Sequence, residues 1–318
     1  MNVPAPIRWE GGKLWLLDQQ KLPEEVVYEE QTSTGMVAAS IATMKVRGAP
    51  AIGIAAAYGM ALAARDGEDL VGAARVLVAA RPTAVNLAWA VNRVLEAHDA
   101  VAEAEAIHRE DAEMCHAIGA NGMGLIGENS AVLTHCNAGA LAVSALGTAT
   151  APLYLAHDAG VRFRVFVDET RPLLQGARLT AWELLQAGLD VTLICDSTVS
   201  HLMSEGMVDL VIVGADRVTA NGDVVNKIGT RGIAIASRYH GIPFHVAFPS
   251  STFDADSASG ADVDIEQRDA GEVTGPIRAA PGVHVRNPAF DVTPAELVTS
   301  WITDRGRIGS ARDLAKLK

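Results

Sequence analysis

A chain of 318 residues, 49% hydrophobic and 20% charged, has the make-up of a packed globular protein of one large or two ordinary domains, not of a disordered one. Its formal charge of −12 argues against nucleic-acid binding, which needs a surplus of lysine and arginine. A single phosphate, held by two or three local cations, is still compatible with that charge. The three cysteines, Cys115, Cys136 and Cys195, are odd in number and contain no C-x-x-C pair, so they form neither a disulfide framework nor a structural zinc site. A reducing, cytoplasmic setting is expected. The start, MNVPAPIRWEGG, lacks the basic and apolar regions of a signal peptide. The apolar run AIGIAAAYGMALAA (51–64) is too short and too rich in Ala and Gly to span a membrane.

In chain order, IRWEGGKLWLLD (7–18) predicts two strands around a Gly-Gly turn. From about residue 33 the pattern is helical, through TGMVAASIATM, 50–65, 67–80, 83–98 and 100–118, all rich in helix formers. After about residue 128 strand-length apolar runs recur: SAVLTHC, FRVFVDE, DVTLICD, DLVIVGAD and PFHVAFPSS. Helix-compatible segments at 138–158, 178–188, 198–206 and 228–240 separate them. Continuous Val/Ile/Leu runs alternating with helices predict a parallel sheet covered on both faces. The segment 254–273 is acidic, rich in small residues and loop-like. The fold class is therefore α/β: a mainly helical N-terminal domain with a small β element (1–120), then a doubly wound parallel-sheet domain (121–318).

Open parallel sheets bind ligands beyond the carboxyl ends of their strands. The strand-like runs here end on polar residues: Cys136 and Asn137, Asp168 and Glu169, Asp196 and Ser197, Asp216 and Arg217, Ser250 and Ser251. For Asp196 a cap of the following helix is the favoured reading. Asp216 stands in GADRVTANGDVVNKIGT, a polar stretch longer than a cap requires, and there a functional role is favoured. Cys136 is open at this level to three roles: catalytic group, metal ligand with His135, or small hydrophobe. Neighbouring strand residues face opposite ways and no H-x-x-x-H spacing is present, so metal binding is disfavoured. Two segments suit a phosphate. VRGAPAIGIAAAYG sets Arg47 and Gly48 before a first-turn proline, an anion site or an ordinary helix start in equal measure. Asn226-Lys227 again puts a cation near a helix start. Neither resembles a Walker A loop or G-x-G-x-x-G, so no nucleotide cofactor is expected.

Taken together, MKVRGAPAIG, RPTAVNLAWA, LTHCNAGALA, DETRPLLQGARLTAWEL, VIVGADRVTANGDVVNKIGT and NPAFDVTP resemble, in order, the methylthioribose-1-phosphate isomerases, over about residues 7–306. The resemblance implies a Rossmann-like C-terminal domain, related to the regulatory subunits of a eukaryotic translation-initiation exchange factor. It implies a homodimer without metal or nucleotide that converts 5-methylthioribose 1-phosphate to 5-methylthioribulose 1-phosphate in methionine salvage. By motif it makes Cys136 and Asp216 the catalytic pair. It makes Arg47, Gly48, Ala49, Arg81, Gln175, Asn226 and Lys227 substrate-binding residues. Similar proteins act on 5-deoxyribose 1-phosphate or ribose 1,5-bisphosphate, and others are non-catalytic sugar-phosphate or nucleotide sensors.

Ordinary side-chain pKa values suit neither member of that pair, so an apolar pocket around Asp216 and a cation such as Lys227 near Cys136 are expected to adjust them. Cys115, in a helical pattern, and Cys195, in an apolar strand run, are expected in or near the core.

Overall fold

The computed structural model describes residues 3–317 apart from positions 83, 276 and 278. Strands β1 (Ile7–Glu10) and β2 (Lys13–Leu17) pair antiparallel around Gly11-Gly12, both at positive φ, as a two-residue hairpin turn requires. A third strand, β3 (Tyr28–Gln31), which the sequence did not announce, pairs with β2. Its YEEQ has one buried side chain and little apolar signal.

Helices follow at α1 (Thr34–Ala42), α2 (Ala49–Arg65), α3 (Leu70–Ala80), α4 (Val85–Glu96) and α5 (Ala100–Gly122), within a few residues of the expected spans. Ser33 caps α1 and Asp69 caps α3 through backbone N–H groups of the first turn. Helix α2 is buried at every position from Ala51 to Ala63, so its apolar character extends round the whole helix, not along one stripe.

Backbone proximity divides the chain into two compact units, the first running up to His116 and including Gly139–Gly147. The second comprises Ala117–Ala138 and the chain from Thr148 onward. Each has its own apolar core, the first around α2 and the second around the large sheet.

The second unit contains β4 (Ala131–Thr134), α6 (Ala151–Asp158), β5 (Arg164–Asp168), α7 (Ala181–Gln186), β6 (Asp190–Ile194), α8 (Val199–Ser204) and β7 (Leu210–Val213). It continues with β8 (Arg217–Thr219), β9 (Val224–Lys227), α9 (Thr230–His240), β10 (Phe244–Ala247), β11 (Phe253–Asp254) and α10 (Gly271–Thr274). The last strands are β12 (Phe290–Thr293), β13 (Ser300–Thr303) and β14 (Gly306–Ile308). The large sheet has the order β14-β13-β10-β7-β4-β5-β6, parallel except for β14. From β4 the chain winds outward to β5 and β6, then returns to β7 and winds the other way to β10 and β13. That is the doubly wound Rossmann order, with its switch point between β4 and β7. A smaller sheet, β11-β8-β9-β12, stands beside it. It occupies part of GADRVTANGDVVNKIGT, so this stretch is a hairpin and not the long polar loop expected.

Two other expectations fail. Residues 138–150 form no α-helix, only a 3-10 turn at Ala140–Ala142, and the α-helix covers just Ala151–Asp158, because Gly139–Gly147 belongs to the first unit. Cys195 is exposed because β6 is the edge strand of its sheet, with Leu193 half exposed beside it, whereas Cys115 is buried as expected. No helix among the described residues is long and apolar enough to cross a membrane.

Candidate active site

Cys136 and Asp216 both follow strands that flank the switch point, where Leu133 of β4 is the register partner of Val211 of β7. Both strands run in the same direction, so both residues leave the carboxyl edge, where such sheets bind ligands. The approach is close. A Cβ added to Gly214 would lie 2.5 Å from the Ala138 methyl, so the turn after β7 rests directly on the turn after β4.

Cys136 has φ 61°, a left-handed conformation that costs about 1–3 kcal/mol for a residue with a side chain unless its surroundings impose it. Hydrogen bonds hold it on both sides. Its N–H donates to Thr170 Oγ1 at 2.9 Å, and Thr180 Oγ1 donates to its carbonyl at 2.5 Å. The Asn137 amide donates to Thr180 Oγ1 at 2.9 Å and to buried Glu183 at 3.2 Å. Tyr154 donates to the same carboxylate at 3.1 Å, and burial together with that carboxylate pushes its hydroxyl well above the ordinary range.

His135 is fully buried. Its Nδ1 lies 2.7–2.8 Å from the Asp168 carboxylate and its Nε2 2.9 Å from the Ile228 carbonyl. Burial opposes a charge on the ring, but Asp168, the Ile228 carbonyl and the field of Asp196 outweigh it, and the His135 pKa is raised. Thr170 Oγ1 also donates to Asp168, at 2.9 Å. Asp196 does not cap its own helical turn. Its two oxygens instead accept the N–H groups of Thr170 and Arg171 at 2.7 Å, fixing the turn after β5.

Asp216 donates its N–H to Val225 at 3.0 Å, and its neighbour Arg217 is paired with Asp254 at 2.7 Å. The Asp216 side chain is exposed, so the apolar pocket expected around it does not enclose it. Lys227 ends β9, donating to the Ala289 carbonyl at 3.2 Å and lying 4.8 Å over the Phe290 ring. Asn226 is buried and donates to Thr230 Oγ1 at 3.0 Å. The helix start expected beside this pair comes later, at Thr230, and Asp291 already accepts from Gly229 and Arg231 there. The anion role assigned to that helix start is thus filled from within. Gln175 is buried at the head of a π-helical turn (Gly176–Thr180), and its side-chain oxygen has no hydrogen-bond partner among the described residues.

In the other unit, Gly48 is the N-cap of α2 with φ 97°, Ala49 opens the helix and Pro50 follows. A side chain on Gly48 would run into the backbone of Ala142, so glycine is required twice over. Arg47 is half-buried before it, and Arg81 is the half-buried C-cap of α3.

Asp168, Thr170, Thr180 and Glu183, which hold the cysteine turn, were not singled out as site residues. All four lie in DETRPLLQGARLTAWEL, where the signal was the length of the motif and not any one side chain.

The initiation factor 2 subunit family model matches residues 45–310. A methylthioribose-1-phosphate isomerase from Chloroflexus aurantiacus is 54% identical, with 94% of this chain and 93% of that one aligned. A 5-deoxyribose 1-phosphate isomerase from Moorella thermoacetica is 50% identical, over 96% and 94% of the two chains. The crystal structure of 5-methylthioribose 1-phosphate isomerase from Pyrococcus horikoshii superimposes with a TM-score of 0.94 at 42% identity, covering 100% of this chain and 96% of that one.

Proposed function

The chain belongs to the initiation factor 2 subunit family, and within it we propose an aldose–ketose isomerase that converts 5-methylthioribose 1-phosphate to 5-methylthioribulose 1-phosphate in methionine salvage. The observation that supports this reading is that a cysteine and an aspartate follow the two adjacent parallel strands at the switch point, Cys136 after β4 and Asp216 after β7, with Gly214 against Ala138 between them.

The substrate's anomeric oxygen carries phosphate, so its ring cannot open by simple mutarotation. Asp216 protonates the ring oxygen as the C1–O bond breaks, leaving an oxocarbenium carbon at C1. Cys136 then removes the C2 proton to give a 1-phospho-enediol. Loss of the C2 hydroxyl proton and protonation at C1 yield the ketone at C2. In the rival route Cys136 takes only the hydroxyl proton while hydrogen moves from C2 to C1 as hydride.

In this reading Arg47, Gly48, Ala49 and Arg81 bind substrate, as do Gln175, Asn226 and Lys227. Gln175 offers a buried acceptor that a sugar hydroxyl would satisfy. A homodimer working without nucleotide or metal completes the proposal. The exposure of Asp216 means that its proton at neutral pH depends on the bound substrate excluding water, not on burial in the free chain.

The test is Asp216→Asn, which should lose turnover while still binding substrate; full activity would sink the assignment. Loss of C2 deuterium to solvent supports the enediol, and complete retention at C1 supports the hydride shift. The 5-deoxyribose 1-phosphate reading is favoured by the Moorella relative. Comparing turnover of 5-methylthioribose, 5-deoxyribose and ribose 1-phosphates decides between them.

A further inference from the structure

The residue before Cys136 has no part in the chemistry above, yet it is a fully enclosed ionisable group beside it. Both ring nitrogens of His135 face acceptors. Ile228 offers a carbonyl, which can only accept, so Nε2 carries a proton. The other nitrogen faces a carboxylate that also receives the Thr170 hydroxyl. A bare Asp168 carboxylate therefore puts a second proton on the ring.

The charged groups around the ring come from three strands: Asp168 at the end of β5, Asp196 after β6, and Asp291 on β12, which feels the His135 charge. All are negative, and no cation faces the ring in the interactions described. Asp196 and Asp291 are each satisfied by two backbone N–H groups. Metal binding at His135, Asp168 and Asp196, whose ligand atoms lie within 4.8 Å of one another, would displace hydrogen bonds already made at one ring nitrogen and at the Asp196 carboxylate.

The direction of the hydrogen bonds leads to the cysteine. The Cys136 N–H donates to Thr170, Thr170 donates to Asp168, Asp168 meets His135 Nδ1, and His135 Nε2 donates to Ile228. The residue after Ile228 is Gly229 at φ 109°, and a Cβ there would lie 2.9 Å from the His135 ring. The ring is thus clamped between the β5 turn and the Asn226–Gly229 segment.

We propose that His135, held as an imidazolium by Asp168, is a positioning residue for Cys136: it fixes the left-handed turn through Thr170 and keeps a positive charge one residue from the thiol. The proposal rests on the catalytic reading of Cys136, and its test separates the two.

In the native protein labelled with 15N-histidine, one imidazole should show both nitrogens protonated at pH 6 and still at pH 8, where ordinary histidines are neutral. Its signal should be lost in Asp168→Asn. Cys136 alkylation by iodoacetamide, followed by peptide mass in a Cys195→Ser background, should shift its pH midpoint up by about one unit in His135→Gln, slowing the reaction about tenfold at pH 7. Thr170→Val should lower kcat about 100-fold with KM nearly unchanged, the cost of a displacement of about 1 Å. If His135→Gln does not fold, the native spectrum and Thr170→Val decide. Neutral-type nitrogen signals for every histidine at pH 7 would overturn the proposal, as would an unshifted alkylation profile in folded His135→Gln. Full turnover in Cys136→Ser would refute the catalytic reading instead, leaving the nitrogen spectrum to decide the ion pair.

Discussion

Replacing Gly214 by alanine tests whether the two strand-end turns act as one unit. The new Cβ would lie 2.5 Å from the Ala138 methyl, where carbon atoms ordinarily rest about 3.5–4.0 Å apart, so about 1 Å must be found. Neither methyl can swing aside, since each is bonded directly to its backbone. One of the turns must move. Overpacking of this kind costs about 1–3 kcal/mol, which lowers Tm by several degrees in a chain of this size. The turns concerned carry Cys136 two residues before Ala138 and Asp216 two residues after Gly214, so kcat should fall about 100-fold. The companion change Ala138→Gly removes the other methyl. The nearest atoms to an alanine at 214 are then Thr148 Oγ1 at 3.5 Å and the Cα of residue 138 at 3.9 Å, both ordinary contacts. The double variant should therefore recover most of the rate, less a stability cost of about 1 kcal/mol for the added glycine. Initial rates of ketose formation from 5-methylthioribose 1-phosphate, with thermal unfolding of each variant, read both effects. A single variant within twofold of the native rate would refute the reasoning, as would a folded double variant no faster than the single one.

The two other predictions concern cysteine access and acid stability. In the folded protein iodoacetamide should modify Cys195 and leave Cys115 untouched, since Cys115 is 1% exposed and burial followed by the nearby Asp111 charge raises its thiol pKa; equal rates at the two would contradict the edge position of β6. Buried His245 is lowered to about 4 by desolvation and then by Arg307, so below its ordinary 6.5 the unfolded chain takes up a proton that the folded one refuses. Stability should fall by up to about 3 kcal/mol as pH drops from 6.5 to 4 on this account, and His245→Gln should flatten that limb in urea titrations.

The sheet of the second unit was legible because strands covered on both faces read as unbroken apolar runs, and β4, β5, β7 and β10 have nearly every side chain buried. Strand β6 was legible for the same apolar letters, but they are half exposed at the edge, which is why Cys195 was misplaced. The smaller sheet escaped notice because Arg217–Thr219 and Val224–Lys227 are three and four residues long and lie inside a motif that already looked like a polar loop. The irregular path of 138–150 escaped for a different reason: Ala and Leu are good helix formers, but the stretch makes only a short 3-10 turn at Ala140–Ala142, with Ala142 packed on Gly48 at the start of α2. Of the candidate residues, Cys136 and Asp216 could be placed at strand ends from the pattern alone, whereas Arg81 and Gln175 came only with the resemblance. What the pattern could not supply was the set of partners holding them, since those depend on which strands lie side by side.

Three glycines explain how a cysteine keeps a left-handed backbone at this edge. Gly176 stands where a side chain would run into the Asp168 carbonyl, Gly214 where it would meet Ala138, and Gly229 where it would meet the His135 ring. The absence at Gly176 lets the π-helical turn fold tightly back on the end of β5, and those at Gly214 and Gly229 let the segments after β7 and β9 approach the β4 turn. Close approach places backbone groups and short side chains within hydrogen-bond reach: Thr170 and Thr180 grip the two sides of Cys136, and Ile228 meets the ring of His135. Positive φ also occurs at Met44, Asn129, Leu146, Thr170 and Leu174, so what bears on the proposed role of Cys136 is the pair of side-chain hydrogen bonds that fixes its turn. In the proposed isomerase that fixed geometry would hold the thiol in place as the substrate changes shape.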